Sequence, residues 1–313
     1  MFMQEIRDFL SKNNLPAGDL YDLPTSTKRF PDGAQYRLEI PSVEGPRALA
    51  AVIDEAKQRG IHIHRVSQGS GIMMLTDDDL REMARLGAEA QMEVSLFVGP
   101  RAGWDVSAQA MSSAGRNLGA RLRGMDQVVY ATADIQRAVE FGIRSVLVAD
   151  EGQLWLVNEM KQESLLPADL VVKISVQMAA ANPISIRMME QLGAGTYNTP
   201  TDLSLPQLAA IRAATHLPLD IYVEVPDNFG GFVRHYEVPE IIRLVSPVYV
   251  KLGVRNSPDI YPSGLHIEDL AVKLARERVR RASLVQALID RYAPDAVRSA
   301  PGAADLGIPQ PNS

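Results

Sequence analysis

A strand-like segment followed by a helix-like segment recurs eight times along this chain of 313 residues. The predicted strands lie at residues 36–41, 61–67, 93–99, 144–150, 170–177, 195–200, 219–225 and 248–254. Eight such units are typical of a (β/α)₈ TIM barrel, which needs about 250 residues. A doubly wound open sheet is the alternative, but no GxGxxG motif follows the first strand. The sequence therefore predicts an α/β fold built as a closed barrel.

Two segments flank the predicted barrel. Residues 1–34 contain an amphipathic helix at residues 2–12 and then a loop rich in Pro, Gly, Asp and Thr. The barrel is expected to span residues 35–294, with a final helix at residues 267–292 that stops before Pro294. Residues 295–313 are rich in Ala, Gly and Pro, and this composition predicts a loose, flexible tail.

Composition excludes several classes of function. The chain has no cysteine, which excludes disulfides, thiol nucleophiles and cysteine-ligated iron–sulfur clusters. The net charge is −6 and no Lys/Arg run stands out in the first 270 residues, so we expect no nucleic-acid partner. The chain has no run of about 20 apolar residues and its start does not resemble a signal peptide, which predicts a cytoplasmic protein without a membrane partner.

Charged residues interrupt the aliphatic alternation of four predicted strands. Side chains alternate between the two faces of a strand, so the residues on the face opposite the aliphatic run share one side of the sheet. These residues are Glu39, Lys173, Glu224 and Lys251. In a closed barrel strand eight lies between strands seven and one, which predicts Lys251 between Glu224 and Glu39. The alternative is a buried ion-pair cluster that only fills the barrel floor.

This predicted cluster suggests catalytic roles. Glu224 is the candidate general base or metal ligand, Glu39 is its partner, and Lys251 is held charged by the two carboxylates. Lys173 has no evident partner in the sequence, which makes it the candidate for a perturbed, reactive amine. A divalent metal among Glu39, Glu224, Asp227 and Asp150 is an open possibility, without a ligand spacing that requires it.

Further polar residues follow the predicted strands, where the chemistry of such barrels is found. The candidates for substrate binding are Arg65, Gln68, Arg101, Asp150, Gln177, Asn198 and Arg255. The Gln68–Gly71 turn is a possible phosphate cradle or a plain turn, and Asp150 is alternatively a helix cap. The pair His62 and His64 resembles a metal-binding HxH motif, although packed histidines are the simpler interpretation.

One part of the chain resembles the peptidase U32 family. The matching features are Asp150 with Gly152, the strand ending at Ser175 and Gln177, the Leu192-Gly193-Ala194 helix end and the Leu203-Ser204-Leu205 helix start. They cover residues 144–225, and the resemblance implies a barrel and a peptidase activity. Two departures are evident: Glu224 stands where the family has a histidine, and the four cysteines of cluster-containing members are missing.

The sequence thus predicts an enzyme similar to the U32 peptidases that acts on a small polar or anionic substrate or a short peptide. Its chemistry would use carboxylate acid–base catalysis, with or without a metal. A lyase or aldolase that uses Lys173 is the second hypothesis. A barrel that only binds a ligand or a partner protein is the third, and a homo-oligomer is compatible with all three.

Overall fold

The computed structural model describes residues 3–99 and 119–311. Eight parallel strands pair in sequence order and the eighth pairs with the first, so the sheet closes into a barrel. The strands are β1 (Tyr36–Pro41), β2 (Arg65–Ser67), β3 (Glu93–Phe97), β4 (Ser145–Val148), β5 (Val171–Ile174), β6 (Thr196–Asn198), β7 (Leu219–Glu224) and β8 (Val248–Leu252). The predicted (β/α)₈ barrel is confirmed.

Helices connect consecutive strands on the outside of the barrel. In the described part of the chain they are α1 (Gln4–Lys12), which precedes the barrel, α2 (Pro46–Arg59), α3 (Asp77–Glu89), α4 (Gly124–Glu140), α5 (Glu151–Gln162), α6 (Pro183–Gln191), α7 (Leu205–Ala214), α8 (Val238–Val245) and α9 (Glu268–Tyr292). The predicted amino-terminal helix is therefore present. Among these described helices, none combines the length and the apolar character needed to cross a bilayer.

Two of the described helices begin with a reciprocal capping box. Thr76 opens α3 in a reciprocal capping box with Asp79, and Ser204 does the same for α7 with Gln207. Thr132, by contrast, lies inside α4. Its hydroxyl donates a hydrogen bond to the carbonyl of Val128 at 2.7 Å, a back-bond that threonine makes within a helix.

The alternation of side chains along the strands sorts apolar from polar residues. In β1, Leu38 and Ile40 point outward and pack into the core between the sheet and the helices. Arg37 and Glu39, in the same strand, point into the barrel, where they are fully buried. The other strands largely repeat the division, although Phe97 and Leu147 face inward, so the main hydrophobic core surrounds the barrel and most of its interior is polar.

The pairing of β7 with β8 contains a register shift near its carboxyl end. Tyr222 lies opposite Lys251, but Glu224 lies opposite Leu252, so Val223 is an extra residue in the ladder. Such a bulge turns the following side chain away from the face that simple alternation predicts. Because of this shift, the Glu224 carboxylate lies outside the barrel interior.

The carboxyl-terminal segment packs against the amino-terminal end of the barrel, unlike the loose tail that its composition predicted. Asp305 forms a two-pronged ion pair with Arg37, with contacts of 2.6 and 3.0 Å. The Arg37 guanidinium also lies over the Phe30 ring at 3.9 Å and donates to the hydroxyl of Tyr249. Leu306 is buried beside them. These long-range contacts fix the position of the segment, and they cannot be predicted from its composition.

His64 connects the same segment to the barrel. Its Nδ1 accepts a hydrogen bond from the Leu38 amide at 3.1 Å, which requires Nε2 to carry the proton that it donates to the Ser299 carbonyl at 2.9 Å. The ring is fully buried, and burial lowers the pKa of His64 to about 3. The imidazole is therefore neutral in the folded chain at all ordinary pH values.

Buried neutral His64 makes the fold sensitive to mild acid. Below pH 6.5 the unfolded chain binds a proton on this ring and the folded chain does not, so stability falls as pH falls toward 3. Between pH 6.5 and 4.5 this one group should lower the unfolding free energy by about 2 kcal/mol. Urea unfolding at both pH values measures the loss.

The variant His64→Gln should be less stable at neutral pH but should lose about 2–3 kcal/mol less than the wild type on acidification. His216→Gln is the matched control, because His216 is exposed at the surface. An acid loss in His64→Gln equal to that of the wild type would contradict the assignment of a neutral, buried ring.

Candidate active site

Three cations and three carboxylates face one another inside the barrel. They come from six of the eight strands and are almost completely buried: Arg65, Lys173 and Lys251 against Glu39, Glu93 and Asp220. The formal charges of this set sum to zero. Charges without water need close partners of opposite sign, and each of these six has at least one within 3.3 Å.

Glu39 lies at the centre of this network. One carboxylate oxygen accepts hydrogen bonds from Lys173 and from Arg65, and the other accepts from the Ser67 hydroxyl at 2.8 Å and contacts Lys251 at 3.1 Å. Burial alone would raise the pKa of Glu39, but the surrounding cations outweigh it and hold the pKa well below its usual range. A carboxylate saturated in this way is a weak base.

Lys173 has the partners that the sequence did not reveal. Its ammonium group is hydrogen-bonded to Glu39 and lies 2.9 Å from the Asp220 carboxylate. Burial lowers the pKa of Lys173 to about 8 in spite of these two carboxylates. The amine is fully buried and does not line the cavity at the barrel mouth.

A cavity of about 50 Å³ opens above this network at the carboxyl end of the strands. Its described lining is Pro41, Ser42, Ser67, Gln68, Gly69, Phe97, Leu147, Ser175, Val176, Gln177, Asn198, Tyr222, Phe229, Lys251 and Tyr261. Lys251 is the single charged side chain among these described residues. Hydroxyl and amide groups make up most of the remaining polar lining, so the cavity combines one positive charge with neutral hydrogen-bonding groups.

Lys251 is held from below and from two sides. Its Nζ contacts Glu39 at 3.1 Å and lies 4.6 Å from the centre of the Tyr222 ring. The Asn198 amide, oriented so that both of its ends are satisfied, accepts from Nζ at 3.0 Å and donates to the Asp220 carbonyl at 3.2 Å. These contacts fix the ammonium group at the floor of the cavity.

Glu224 and Arg255 do not join this group. Glu224 accepts a hydrogen bond from the Arg255 amide at 2.9 Å. Its carboxylate faces His235, which precedes α8, and Arg281, which lies on the long helix α9. The predicted arrangement of Lys251 between Glu224 and Glu39 is thus half correct. The bulge at Val223 explains the missing half, since it turns Glu224 outward.

The other predicted binding residues are dispersed. Gln68, Gln177 and Asn198 line the mouth cavity, while Arg65 is buried in the network beneath it. Asp150 caps α5 by accepting from the amides of Gly152 and Gln153, which was the simpler of its two interpretations. Arg101 lies outside the described residues.

The Gln68–Gly71 turn already holds an anion of the protein itself. The amides of Gly69 and Ser70 donate to the two carboxylate oxygens of Glu44 at 2.8 and 2.9 Å. This is the geometry in which such turns bind phosphate, with a side-chain carboxylate in place of the ligand. The phosphate-cradle hypothesis is therefore not supported for the folded chain.

The histidine pair is a packing feature. The rings of His62 and His64 meet edge to face, 4.6 Å apart, and both nitrogens of His64 are engaged in hydrogen bonds. Within residues 3–99 and 119–311 no three carboxylate or imidazole groups converge in a way that would hold a metal ion.

Sequence reasoning missed four residues that shape the site. Asp220 and Glu93 complete the charge balance, and Tyr222 and Tyr261 form walls of the cavity. A signal existed for Asp220 and Tyr222, because they share the polar face of the strand that ends at Glu224. Tyr261 lies in a loop after β8, where no periodic pattern marks its position.

Comparison with known proteins gives similar structures at low identity. A U32 peptidase is 15% identical, with a TM-score of 0.41, over 63% of this chain and 72% of that one. A truncated 3-deoxy-D-arabino-heptulosonate 7-phosphate synthase from Thermotoga maritima is 12% identical, with a TM-score of 0.45, over 88% and 95%. A Rubisco from Hyperthermus butylicus is 11% identical, with a TM-score of 0.46, over 86% and 70%. No family model and no curated protein sequence matches the chain.

The network predicts unequal costs for removing its two lysines. Lys173→Met leaves Glu39 and Asp220 facing each other in a dry interior and should lower the unfolding free energy by about 3–5 kcal/mol. Lys251→Met should cost about 1–3 kcal/mol, because Glu39 keeps Lys173 and Arg65 as partners. Urea unfolding at pH 7 compares the two. A larger loss of unfolding free energy in Lys251→Met than in Lys173→Met would contradict the placement of Lys251 at the cavity floor and of Lys173 inside the buried network.

Proposed function

We propose that this chain is an enzyme that binds a small anionic substrate at the mouth of the barrel, with Lys251 as the group that meets its charge. The supporting observation is the position of the Lys251 ammonium, which lies on the Glu39 carboxylate and forms part of the cavity lining. In (β/α)₈ enzymes the reaction takes place at this end of the barrel. The barrel itself is compatible with many reactions, so the proposal rests on the site.

The size and lining of the cavity favour a small substrate. A volume of about 50 Å³ holds a carboxylate or a carbonyl group, while the rest of a larger molecule would have to lie outside. Neutral donors and acceptors around one ammonium group are suited to a single negative charge. This favours a small oxo acid or hydroxy acid over the short peptide that the U32 resemblance implies.

The chemistry that the site supports is polarisation of a substrate oxygen. The fixed ammonium of Lys251 would stabilise negative charge that develops on a carbonyl or carboxylate oxygen, in a setting with little water. Burial raises the pKa of Tyr222 and of Tyr261, so both phenols keep their protons at neutral pH and can donate hydrogen bonds, rather than protons, to such an oxygen. Glu39 would orient Lys251 through their ion pair, and the low proton affinity of Glu39 does not suit a general base.

A lyase that forms a Schiff base is the second candidate, with Lys251 in the role that the sequence gave to Lys173. The observation in its favour is that the Lys251 amine borders the cavity and the Lys173 amine does not. Borohydride reduction in the presence of pyruvate distinguishes the two, since a trapped adduct on Lys251 would favour the lyase. Our proposal predicts no adduct on either lysine.

The binding test uses oxo acids and hydroxy acids of two to five carbons as probes. At a concentration of 100 Kd a ligand of the folded state adds about 2.7 kcal/mol to its stability, which thermal unfolding detects. At least one of these compounds should raise the melting temperature of the wild type and should leave that of Lys251→Met unchanged. Turnover of that compound would then be followed by proton NMR.

The matched control is Lys161→Met. Lys161 is partly buried and its amine donates to the backbone carbonyl of Leu170, but it lies on α5 outside the barrel. This variant should keep the full response to the ligand. An equal response in the wild type and in Lys251→Met would refute the proposed site, as would the absence of any response across the whole set of probes.

A further inference from the structure

The outer faces of three consecutive helices, α4, α5 and α6, carry large apolar side chains that reach solvent. Each of these side chains is at least 47% exposed, and they are Met125, Val129, Tyr130, Trp155, Ile184 and Met188. We call these six residues the apolar patch. Single exposed apolar residues are ordinary on a protein surface, whereas a continuous group of them marks a site of interaction.

Contacts between the helices make the apolar patch continuous. The side-chain amide of Gln153 on α5 donates to the hydroxyl of Thr132 on α4 at 3.2 Å. On the other side of α5, Gly193 follows α6 and lies so close to Asn158 that a Cβ on the glycine would meet that side chain at 2.6 Å. Trp155 lies one turn before Asn158, and α5 is flanked by α4 on one side and by α6 on the other. The three helix faces therefore adjoin.

The exposed surface of the described helices α5 and α6 carries no charged residue. Their exposed residues are Gly152, Trp155, Gln162, Ile184, Met188 and Gln191. On α3 the exposed residues are all charged, and they are Asp77, Asp78, Arg81, Arg85 and Glu89. Few charges together with Trp, Tyr and Met are the composition of the core of a protein–protein interface. The surface of α3 has the composition of a helix face that stays in water.

The charged side chains of α6 are engaged within their own chain. Arg187 donates to the backbone carbonyls of Asn13, Asn14 and Ala214. Glu190 accepts from the Thr215 hydroxyl at 2.8 Å. These contacts draw both charges toward neighbouring loops, so the exposed face of α6 is left to Ile184, Met188 and Gln191.

The size of the apolar patch suits an interface between two copies of this chain. Tyr130 and Trp155 are 59% and 51% exposed, so together they present roughly 200 Å² of surface. The four smaller side chains roughly double this area, and the uncharged residues beside them supply a rim. A standard interface buries about 800 Å² on each partner, with an apolar core inside a polar rim. The patch thus has the extent of such a core.

The order of the helices makes the apolar patch complementary to itself. Trp155 lies on the central helix, and the helices on both sides of it present apolar side chains. A two-fold axis near Trp155 would place α4 of one copy against α6 of its partner. Apolar surface would then meet apolar surface on both sides of the axis, as an isologous interface requires.

We propose that the apolar patch is the interface of a homodimer, in which α4, α5 and α6 of two copies pack face to face around a two-fold axis at Trp155. The apolar residues of α4 in one copy cover those of α6 in its partner, and both Trp155 side chains are buried at the centre. This interface is independent of the ligand site, because none of the six residues is part of the described lining of the mouth cavity.

Sedimentation equilibrium of the full chain tests the proposal. The wild type should be a dimer with a Kd of about 1 μM or below. Trp155→Glu places a charge at the centre of the interface and should raise the dimer Kd at least about thirtyfold. Met188→Glu should change the Kd in the same direction. Both residues are exposed in the single chain, so thermal unfolding should show that the two variants are folded.

Tyr236→Glu is the matched control. Tyr236 is an aromatic residue that is 79% exposed, but it precedes α8 on a different part of the barrel, so this variant should remain a dimer. A wild type that is monomeric at about 100 μM, or that assembles beyond a dimer, would overturn the proposal. An unchanged dimer Kd in Trp155→Glu would do the same.

The arrangement of the helices is tested by cross-linking, which the absence of cysteine from the chain makes specific. The double variant Val129→Cys with Met188→Cys should form a covalent dimer with a short bismaleimide, because α4 of one copy faces α6 of the other. Within one chain the two positions are separated by α5. Each single variant should give far less covalent dimer. Equal cross-linking in a single variant and in the double variant would refute the two-fold arrangement.

Discussion

Charge balance inside a closed barrel is the constraint on which the rest of this structure depends. Moving an unpaired charge out of water costs several kcal/mol, yet six charged side chains are buried where the strands converge. They are tolerated because the cations and the carboxylates are equal in number and each has a partner. Arg65 connects three strands by reaching Glu93 and Asp220 from β2, so the network also fixes how the strands lie around the axis.

The two ends of the barrel are covered by different side chains, and this difference determines at which end a ligand can reach the buried charges. At the amino-terminal end Arg65 lies over the Tyr249 ring, and Arg37 beyond it is neutralised by Asp305 of the carboxyl-terminal segment. At the other end Lys251 has Glu39 beneath it and open volume above it. Its ammonium group is thus the part of the network that a ligand entering the mouth would meet.

Strand alternation in the sequence was sufficient to predict the barrel and to place Glu39, Lys173 and Lys251 in its interior. It failed for Glu224, because a single extra residue at Val223 reverses the face and no sequence signal marks that bulge. Alternation predicts which face of the sheet a side chain occupies, but not how far along the barrel axis it lies. It therefore could not show that Lys173 lies below Lys251, or that Asp220 is the partner of Lys173. The contacts of Asp305 and Ser299 depend on tertiary structure alone.

The dependence of Lys251 on Glu39 can be measured directly by a double-mutant cycle. Unfolding free energies of the wild type, Glu39→Gln, Lys251→Met and the double variant give the coupling between the two side chains. A buried pair at 3.1 Å predicts a favourable coupling of at least about 1 kcal/mol. Additive effects, with a coupling of zero within error, would show that Lys251 is held by something other than this carboxylate and would contradict the account.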